Sequence, residues 1–344
     1  MRALVVRRYG PPEVLEVQQA PDPQPKAGEV LIRVKAIGVN FADLLQRMGL
    51  YPATPKPPFV PGLEVAGVVE KTAEGGSQDH GENPRPGDAV VALTDFNAYA
   101  EWVAVPAAYV YRLPAGMSFS DGAAIPSNYL TAYQAIITQG NMQPGEKILI
   151  HSAAGGVGTA AVQLARARGL FVFGSAGAAK QEHLRRIGVQ HAIDYEKSDF
   201  VDVIQKYAPG GLDMVMDPIG GKSWERSYSC LAPNGRLVAY GFSTVAGADG
   251  KQNWLRGVKA LMQTPKFSPL ELMKTGASII GVNLGQARSR GDHLRSELNE
   301  IFKLYAEGKV KPIISKTFPL EQAAAAHQFV QQRKNTGKVI LAVK

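Results

Sequence analysis

From about residue 123 onward, short apolar runs alternate with segments of helical periodicity. The runs at 147–151, 170–174, 191–194, 213–217, 236–241 and 278–282 have the length and residue types of buried strands. Helical patterns at 159–168, 180–187 (closed by Gly188) and 200–207 separate them. Strands joined by helical crossovers predict a parallel, doubly wound α/β sheet with its ligand crevice at the carboxyl ends of the strands. The first third reads differently. Its apolar stretches at 1–6, 30–36, 65–70 and 89–93 carry Val and Ile, two of them entered through the turn sequences 25–28 and 85–88. That pattern predicts a β-rich unit, with the polar stretch 72–83 as an exposed loop. A helix at 293–307, an extended piece at 312–318, a helix at 320–332 and a strand at 338–343 close the chain and are expected to complete this unit. The expected division is therefore 1–124 with 285–344, and 125–284.

One segment fits neither pattern. Within 243–267, Leu255, Val258, Leu261 and Met262 recur at helical spacing, with Arg256, Lys259 and Lys266 nearby. The expectation is an amphipathic helix facing the core. The alternatives are a substrate lid, with Trp254 or Phe267 lining the pocket, or a membrane-surface patch.

Composition narrows the partners. Basic residues exceed acidic ones, 38 to 30, giving a formal charge of +8. They are scattered, so no specific nucleic-acid partner is expected; the excess suits an anionic ligand such as a phosphorylated cofactor. A single cysteine, Cys230, leaves no intrachain disulfide and no cysteine-built zinc site. No apolar run reaches the length of a bilayer span, and a cytoplasmic location is expected.

The strongest chemical signal is Ile148-Leu-Ile-His-Ser-Ala153-Ala154-Gly155-Gly156-Val157-Gly158. A strand, a loop of small residues and a helix in succession present free backbone N–H groups and a positive helix end to a diphosphate. The spacing Ala153-x-Gly155-x-x-Gly158 is the dinucleotide fingerprint with alanine at its first glycine. Gly155 lets the diphosphate approach, and Gly158 lets the helix pack on its strand. The next strand should end at the adenosine ribose, where an acidic residue would bind the 2′-hydroxyl of NAD. The chain has Gly174-Ser175-Ala-Gly-Ala-Ala-Lys180 there instead. A hydroxyl, a lysine and no carboxylate predict NADP(H), with Tyr195 closing over the 2′-phosphate.

Seven motifs in order extend this reading: Gly38-Val-Asn40-Phe-Ala-Asp43, Gly49-Leu-Tyr51-Pro52, Pro61-Gly-Leu63-Glu64-x-Ala-Gly67, Tyr129-Leu-Thr131-Ala-Tyr133, the glycine loop, Asp217-Pro218-Ile219-Gly-Gly221 and Lys334-Asn335-Thr-Gly-Lys338. Together they resemble the zinc-free medium-chain dehydrogenase/reductases, in particular the quinone oxidoreductase branch and its vesicle amine transport protein subgroup. The resemblance implies a GroES-like catalytic domain beside a Rossmann NADP(H)-binding domain. It places Asn40 and Thr131 near the nicotinamide ribose and carboxamide, and Asp217, Pro218 and Ile219 beneath the nicotinamide, with further cofactor contacts at Gly241, Phe242 and Asn335. Tyr51 falls at the substrate mouth as a candidate acid, with simple packing on the proline-rich loop as its alternative. Asn40 is also a catalytic candidate, with orientation of cofactor or substrate by hydrogen bonds as the alternative to chemistry; Asp43 is either catalytic or a structural residue of a helix start, and Thr131 either touches cofactor or makes a local backbone bond.

Zinc-dependent relatives hold their metal through a cysteine and a histidine of these motifs. Asn40 stands in the cysteine region and Leu63 precedes Glu64 in place of histidine, so no metal is expected. The implied activity is hydride transfer from NADPH to a quinone or an α,β-unsaturated carbonyl, which needs little activation. The alternatives are an enoyl-thioester reductase and a non-catalytic, NADPH-responsive, lipid- or membrane-associated protein. The resemblance also implies a homodimer paired along the strand from Ser278 to Val282.

Overall fold

The computed structural model describes residues 1–52, 54–73, 84–246, 254–287 and 291–344. Two large sheets organise it. The first has six strands, Lys147–Ile150, Phe171–Ala176, His191–Asp194, Leu212–Asp217, Leu231–Ala239 and Ser278–Gly281. Counted in chain order they lie side by side as 3-2-1-4-5-6, all parallel. This is the doubly wound order, which puts the ligand crevice between the first and fourth strands, where the winding reverses. Ile148, Leu149 and Ile150 are fully buried, as a central strand covered on both faces requires. The helix Gly156–Ala167 packs beside it through Leu164 and through Ala160, Ala161 and Ala165, whose small side chains let helix and sheet come close.

The second sheet has seven strands. In spatial order Ile314–Pro319, Lys338–Ala342, Glu29–Val39, Glu64–Thr72, Ala89–Leu93 and Val110–Arg112 lie together, and Trp102–Pro106 also pairs with Glu29–Val39. The C-terminal strand therefore enters the sheet built by the first third of the chain, with Val339 opposite Val39. Residues 102–106 and 110–112 carry no alternation strong enough to announce them, and pairing with already formed strands makes them extended.

The sheets meet at one backbone contact. Gly337 donates its N–H to Ala154 O at 2.8 Å, bridging Gly155 to Gly337. Gly337 has φ 83° and lies so near Ile313 that a Cβ would stand 2.1 Å from the Ile313 carbonyl. Only glycine serves there. The helix Pro126–Tyr133 runs along the same junction and continues into a π-helical turn, Gln134–Thr138. Gln134 Nε2 and Thr138 Oγ1 of that turn donate to the buried Glu297 carboxylate, at 3.1 and 2.6 Å.

Two expectations are corrected. The second strand runs to Ala176 rather than Gly174, which carries Ser175 into the sheet. The helix at Trp254–Met262 forms, but Val258, Leu261 and Met262 are 43%, 66% and 82% exposed, so this face is turned outward and Ala260 is the residue that packs inward. The Phe267 ring packs on Tyr228 at 5.0 Å. Positions 74–83 of the expected loop, and the side chains of Trp254, Leu255 and Arg256, lie outside the described residues. Among the described residues no helix is long and apolar enough to cross a membrane.

Candidate active site at the junction of the two sheets

The glycine loop has the shape its spacing predicts. Gly155 caps the helix Gly156–Ala167 in extended conformation, and a Cβ on it would meet only Ser152 O at 3.2 Å. The approach to Gly155 is open. A Cβ on Gly158 would stand 2.3 Å from Ser152 O and 2.6 Å from Ala153 Cα, so its absence is what seats the helix on its strand. Gly156 is equally confined, by the Asn128 side chain 2.5 Å from its Cβ position. The backbone N–H groups of Gly156, Val157 and Gly158 form the first turn of the helix, where no preceding turn supplies acceptors. With the helix end behind them, they fit a diphosphate.

Facing this loop from the other sheet is a closed polar cluster around Asn40. Asn40 ends the strand Glu29–Val39 and caps the helix Phe41–Met48. Its Nδ2 donates to Gly38 O at 3.2 Å and Glu64 Oε1 at 2.8 Å. Lys338 Nζ donates to Asn40 Oδ1 at 2.6 Å and to Glu64 Oε1 at 2.5 Å, and lies 3.5 Å from Asn128 Oδ1. Glu64 Oε2 accepts Ser127 N–H at 2.7 Å, in the first turn of the helix Pro126–Tyr133. Glu64 and Lys338 are 0% and 3% exposed. Such an ion pair survives burial because its remaining valences are filled. Glu64, Asn128 and Lys338 were absent from the residues singled out by sequence, although Glu64 and Lys338 lie inside two of the quoted motifs.

The other residues expected on this side divide. Tyr51 is half-buried, and its hydroxyl lies 3.8 Å from where a Cβ on Gly285 would stand, beside the short helix Leu284–Ala287 that follows the last strand of the first sheet. Asp43 does not reach the cleft. It is fully buried behind Asn40, where Oδ2 accepts the Asn40 N–H at 2.8 Å and the Tyr99 hydroxyl at 3.0 Å. Burial raises its carboxyl to about 7, and a catalytic role gives way to a structural one at the helix start. Tyr99 also bonds His327 Nε2 at 2.9 Å. The Thr131 hydroxyl donates to Ser127 O at 2.7 Å, the local backbone bond rather than an outward donor.

At the adenosine end, Lys180 Nζ donates to Asn335 O at 2.5 Å, which brings two residues distant in sequence together. Burial first, and the nearby Arg333 second, lower the Lys180 ammonium from its ordinary value. Arg333, with φ 55°, is thus a second cation at this end that sequence reasoning missed. Tyr195 is 48% exposed, its hydroxyl 3.3 Å from the Cβ position of Gly177. Two details correct the expectation. Ser175 is 3% exposed and its hydroxyl bonds His151 Nδ1 at 2.9 Å, so it is directed into the fold. A carboxylate is present after all: Glu196 Oε1 lies 2.6 Å from the Cβ position of Gly177, supplied by the turn after the third strand.

Beneath the crevice, Asp217 accepts four bonds: Ile219 N–H at 2.7 Å, Gly220 N–H at 3.3 Å, Ser223 Oγ at 2.6 Å and Ser227 Oγ at 2.7 Å. Its carboxylate shapes the turn and has no valence left for a cofactor. Pro218 and Ile219 remain at the strand end, and their carbonyls accept Ser243 N–H at 2.9 Å and Thr244 N–H at 3.1 Å. Gly241 lies against Pro218, and the Phe242 ring covers Gly220. Ser227 Oγ also reaches His151 Nε2 at 3.2 Å, so Ser175, His151, Ser227 and Asp217 form one buried chain across the strand ends. Burial lowers the His151 pKa from its ordinary value.

A nucleotide-binding sheet in 3-2-1-4-5-6 order, joined to a second sheet across a shared cleft, defines the class of two-domain oxidoreductases. Residues 26–115 match the alcohol dehydrogenase GroES-like domain, and residues 187–341 the zinc-binding dehydrogenase domain. The chain belongs to the medium-chain dehydrogenase/reductase family. It is 39% identical over 342 residues to the synaptic vesicle membrane protein VAT-1 homolog of Danio rerio, covering 99% of this chain and 69% of that protein. It is 34% identical to human quinone oxidoreductase over 354 residues, covering 99% and 97%. The structure of Escherichia coli quinone oxidoreductase complexed with NADPH superposes with TM-score 0.86 at 29% identity, covering 99% of this chain and 100% of that one.

The zinc implied by the family does not suit these residues. Asn40 and Leu63 occupy the motif positions discussed above, and among the described residues no group of three or more His, Cys, Asp or Glu is arranged to hold a metal ion.

Proposed function

We propose that this protein is an NADPH-dependent, metal-independent reductase of quinones or α,β-unsaturated carbonyl compounds, with 125–284 as its cofactor domain. The observation that carries the reading is the open Gly155 loop facing Asn40 and Tyr51 across a cleft without a metal donor set. Such a site suits an acceptor that is already electrophilic. Bound NADPH supplies a hydride to the substrate carbon. The amides of Gly156, Val157 and Gly158 hold the diphosphate, and residues 218–219 with 241–242 floor the nicotinamide end. Tyr51 donates a proton to the substrate oxygen, balancing the hydride. Lys180, Arg333 and Tyr195 gather at the 2′-phosphate, and their two cations outweigh the single exposed carboxylate of Glu196. The edge strand Ser278–Gly281, which among the described residues pairs in the sheet only with Leu231–Ala239, is where we place pairing with a second copy.

The test is NADPH consumption across a panel of quinones, enones and enoyl thioesters. Turnover of the first two classes is expected; a folded, NADPH-binding protein that consumes no NADPH with any of them overturns the reading, and turnover of thioesters alone moves it to the enoyl reductases, a class represented among similar structures by CurK enoyl reductase at TM-score 0.84 and 30% identity. Tyr51→Phe should lower turnover about 10²-fold with unchanged NADPH affinity. Lys180→Ala should weaken NADPH about tenfold and leave NADH nearly unaffected, read by nicotinamide fluorescence titration.

A further inference from the structure

We infer that Lys338 is a positioning residue that makes Asn40 an acceptor, and only an acceptor, toward the bound cofactor. The inference rests on the cofactor reading above and deepens it. A carboxamide has two N–H donors and two acceptor positions. Both Asn40 donors are spent, on Gly38 O and Glu64 Oε1, and Lys338 occupies one acceptor position of Oδ1. The orientation of the amide is decided by charge. Reversing it would set the NH2 group against an ammonium and the oxygen against a carboxylate, inside a region where Lys338 and Glu64 are 3% and 0% exposed. One lone pair on Oδ1 is what Asn40 retains.

A lone pair accepts a hydroxyl or amide N–H of the cofactor. It donates nothing to a substrate carbonyl, so Asn40 cannot stabilise an oxyanion, and polarising the acceptor falls to Tyr51. The same ammonium also links the two ends of the crevice. Gly337, the residue before Lys338, bonds Ala154 of the diphosphate loop at 2.8 Å. Asn128, next to Lys338 Nζ, is packed on Gly156 of that loop. The spacing between the diphosphate cradle and the Asn40 acceptor is thereby set by one buried cation and its three oxygen neighbours.

The test is a cycle between the paired substitution Glu64→Gln with Lys338→Met, which removes both charges together, and Asn40→Ala. Single-turnover hydride transfer at saturating NADPH should fall about 10–100-fold in the paired variant. In the Asn40→Ala background the same pair should change the rate by no more than about twofold, because the residue it acts through is gone. No loss in the paired variant, or equal losses in both backgrounds, overturns the inference. A second measurement needs no variant and no turnover. In the unaltered protein without NADPH, the two Asn40 side-chain amide protons should be protected from solvent exchange and keep their chemical shifts when NADPH binds. Fast exchange, or a large shift on binding, overturns the inference even if the protein reduces nothing in the acceptor panel. Failure of the panel with the amide protons protected rejects only the reductase reading.

Discussion

Glu64 and Asp43 are both fully buried and both hold Asn40, one through its side chain and one through its backbone N–H, yet their surroundings differ in kind. On the cleft side, Glu64 has three donors, one of them a cation: Lys338, Asn40 and the Ser127 amide. On the interior side, Asp43 has two donors and no contacting cation, and its Oδ1 is unpartnered. Around it Arg47 Nε and Nη1 and His327 Nδ1 are also unpartnered. The contrast shows where geometry is strict. The cluster facing the cofactor has its charges paired and both Asn40 donors bonded, with one Oδ1 acceptor position left over; the cluster behind it is loosely satisfied and adjusts its protonation instead, with Asp43 raised to about 7 and His327 well below its ordinary value, both by burial.

The largest effect should come from breaking the charge-paired side. Lys338→Met leaves Glu64 buried with no cation and is expected to cost about 3–5 kcal/mol in urea unfolding. Adding Glu64→Gln should recover most of that loss; a single substitution with little cost would show the pair to be more solvated than its burial implies. On the loose side, Arg47 is fully buried with its guanidinium lowered to about 10 by desolvation, and Gln331 Oε1 accepts its Nη2 at 3.0 Å. Arg47→Met should leave stability within about 1 kcal/mol of the unaltered protein, since a poorly satisfied buried cation contributes little net. A loss comparable to that of Lys338→Met would erase the distinction.

The comparison is sharpened further through pH. Asp43 binds its proton more tightly folded than unfolded, so its contribution to stability declines as pH rises from about 3.8 to about 7. His151 and His327 bind theirs more weakly folded, so their contribution is present above about 6.5 and declines as pH falls below it. Between these limits the carboxyl opposes the two rings. Asp43→Asn should steepen the fall of stability with acidification by about 1.4 kcal/mol per pH unit, measured by denaturant unfolding from pH 6.5 down to pH 4.5. An unchanged slope would mean that Asp43 titrates normally.

Much of the fold was legible because its signals are local. The strands 191–194 and 89–93 and the helix 200–207 have the bounds that periodicity assigns, since each carries its own apolar pattern and turn residues. The glycine loop was legible for the same reason: backbone approach and helix packing need small residues at fixed spacing. Residues 102–112 and the π-helical turn were not legible, because partners elsewhere in the chain decide their conformation. Within the site, type was easier to read than orientation. Ser175, Asp217 and Thr131 are the kinds of residue a cofactor contact uses, and each instead spends its side chain on a neighbour. Glu196 reaches the ribose end only because the third strand lies beside the second.

The sequence by itself determined the strand–loop–helix unit of the nucleotide fold, the basic residue after the second strand and the departures at Asn40 and Leu63 from a zinc donor set. Those are properties of residues a few positions apart, or of single side chains. Tertiary structure alone decided that Asn40, Glu64, Asn128 and Lys338 share one buried cluster, that Arg333 joins Lys180, and that Val258, Leu261 and Met262 face outward. Lys338 stands 298 positions from Asn40 in the chain. No local pattern encodes that approach, because it is made by a strand from the C-terminal end pairing with the strand Glu29–Val39, and only the closed sheet brings cation, carboxylate and amide within bonding distance.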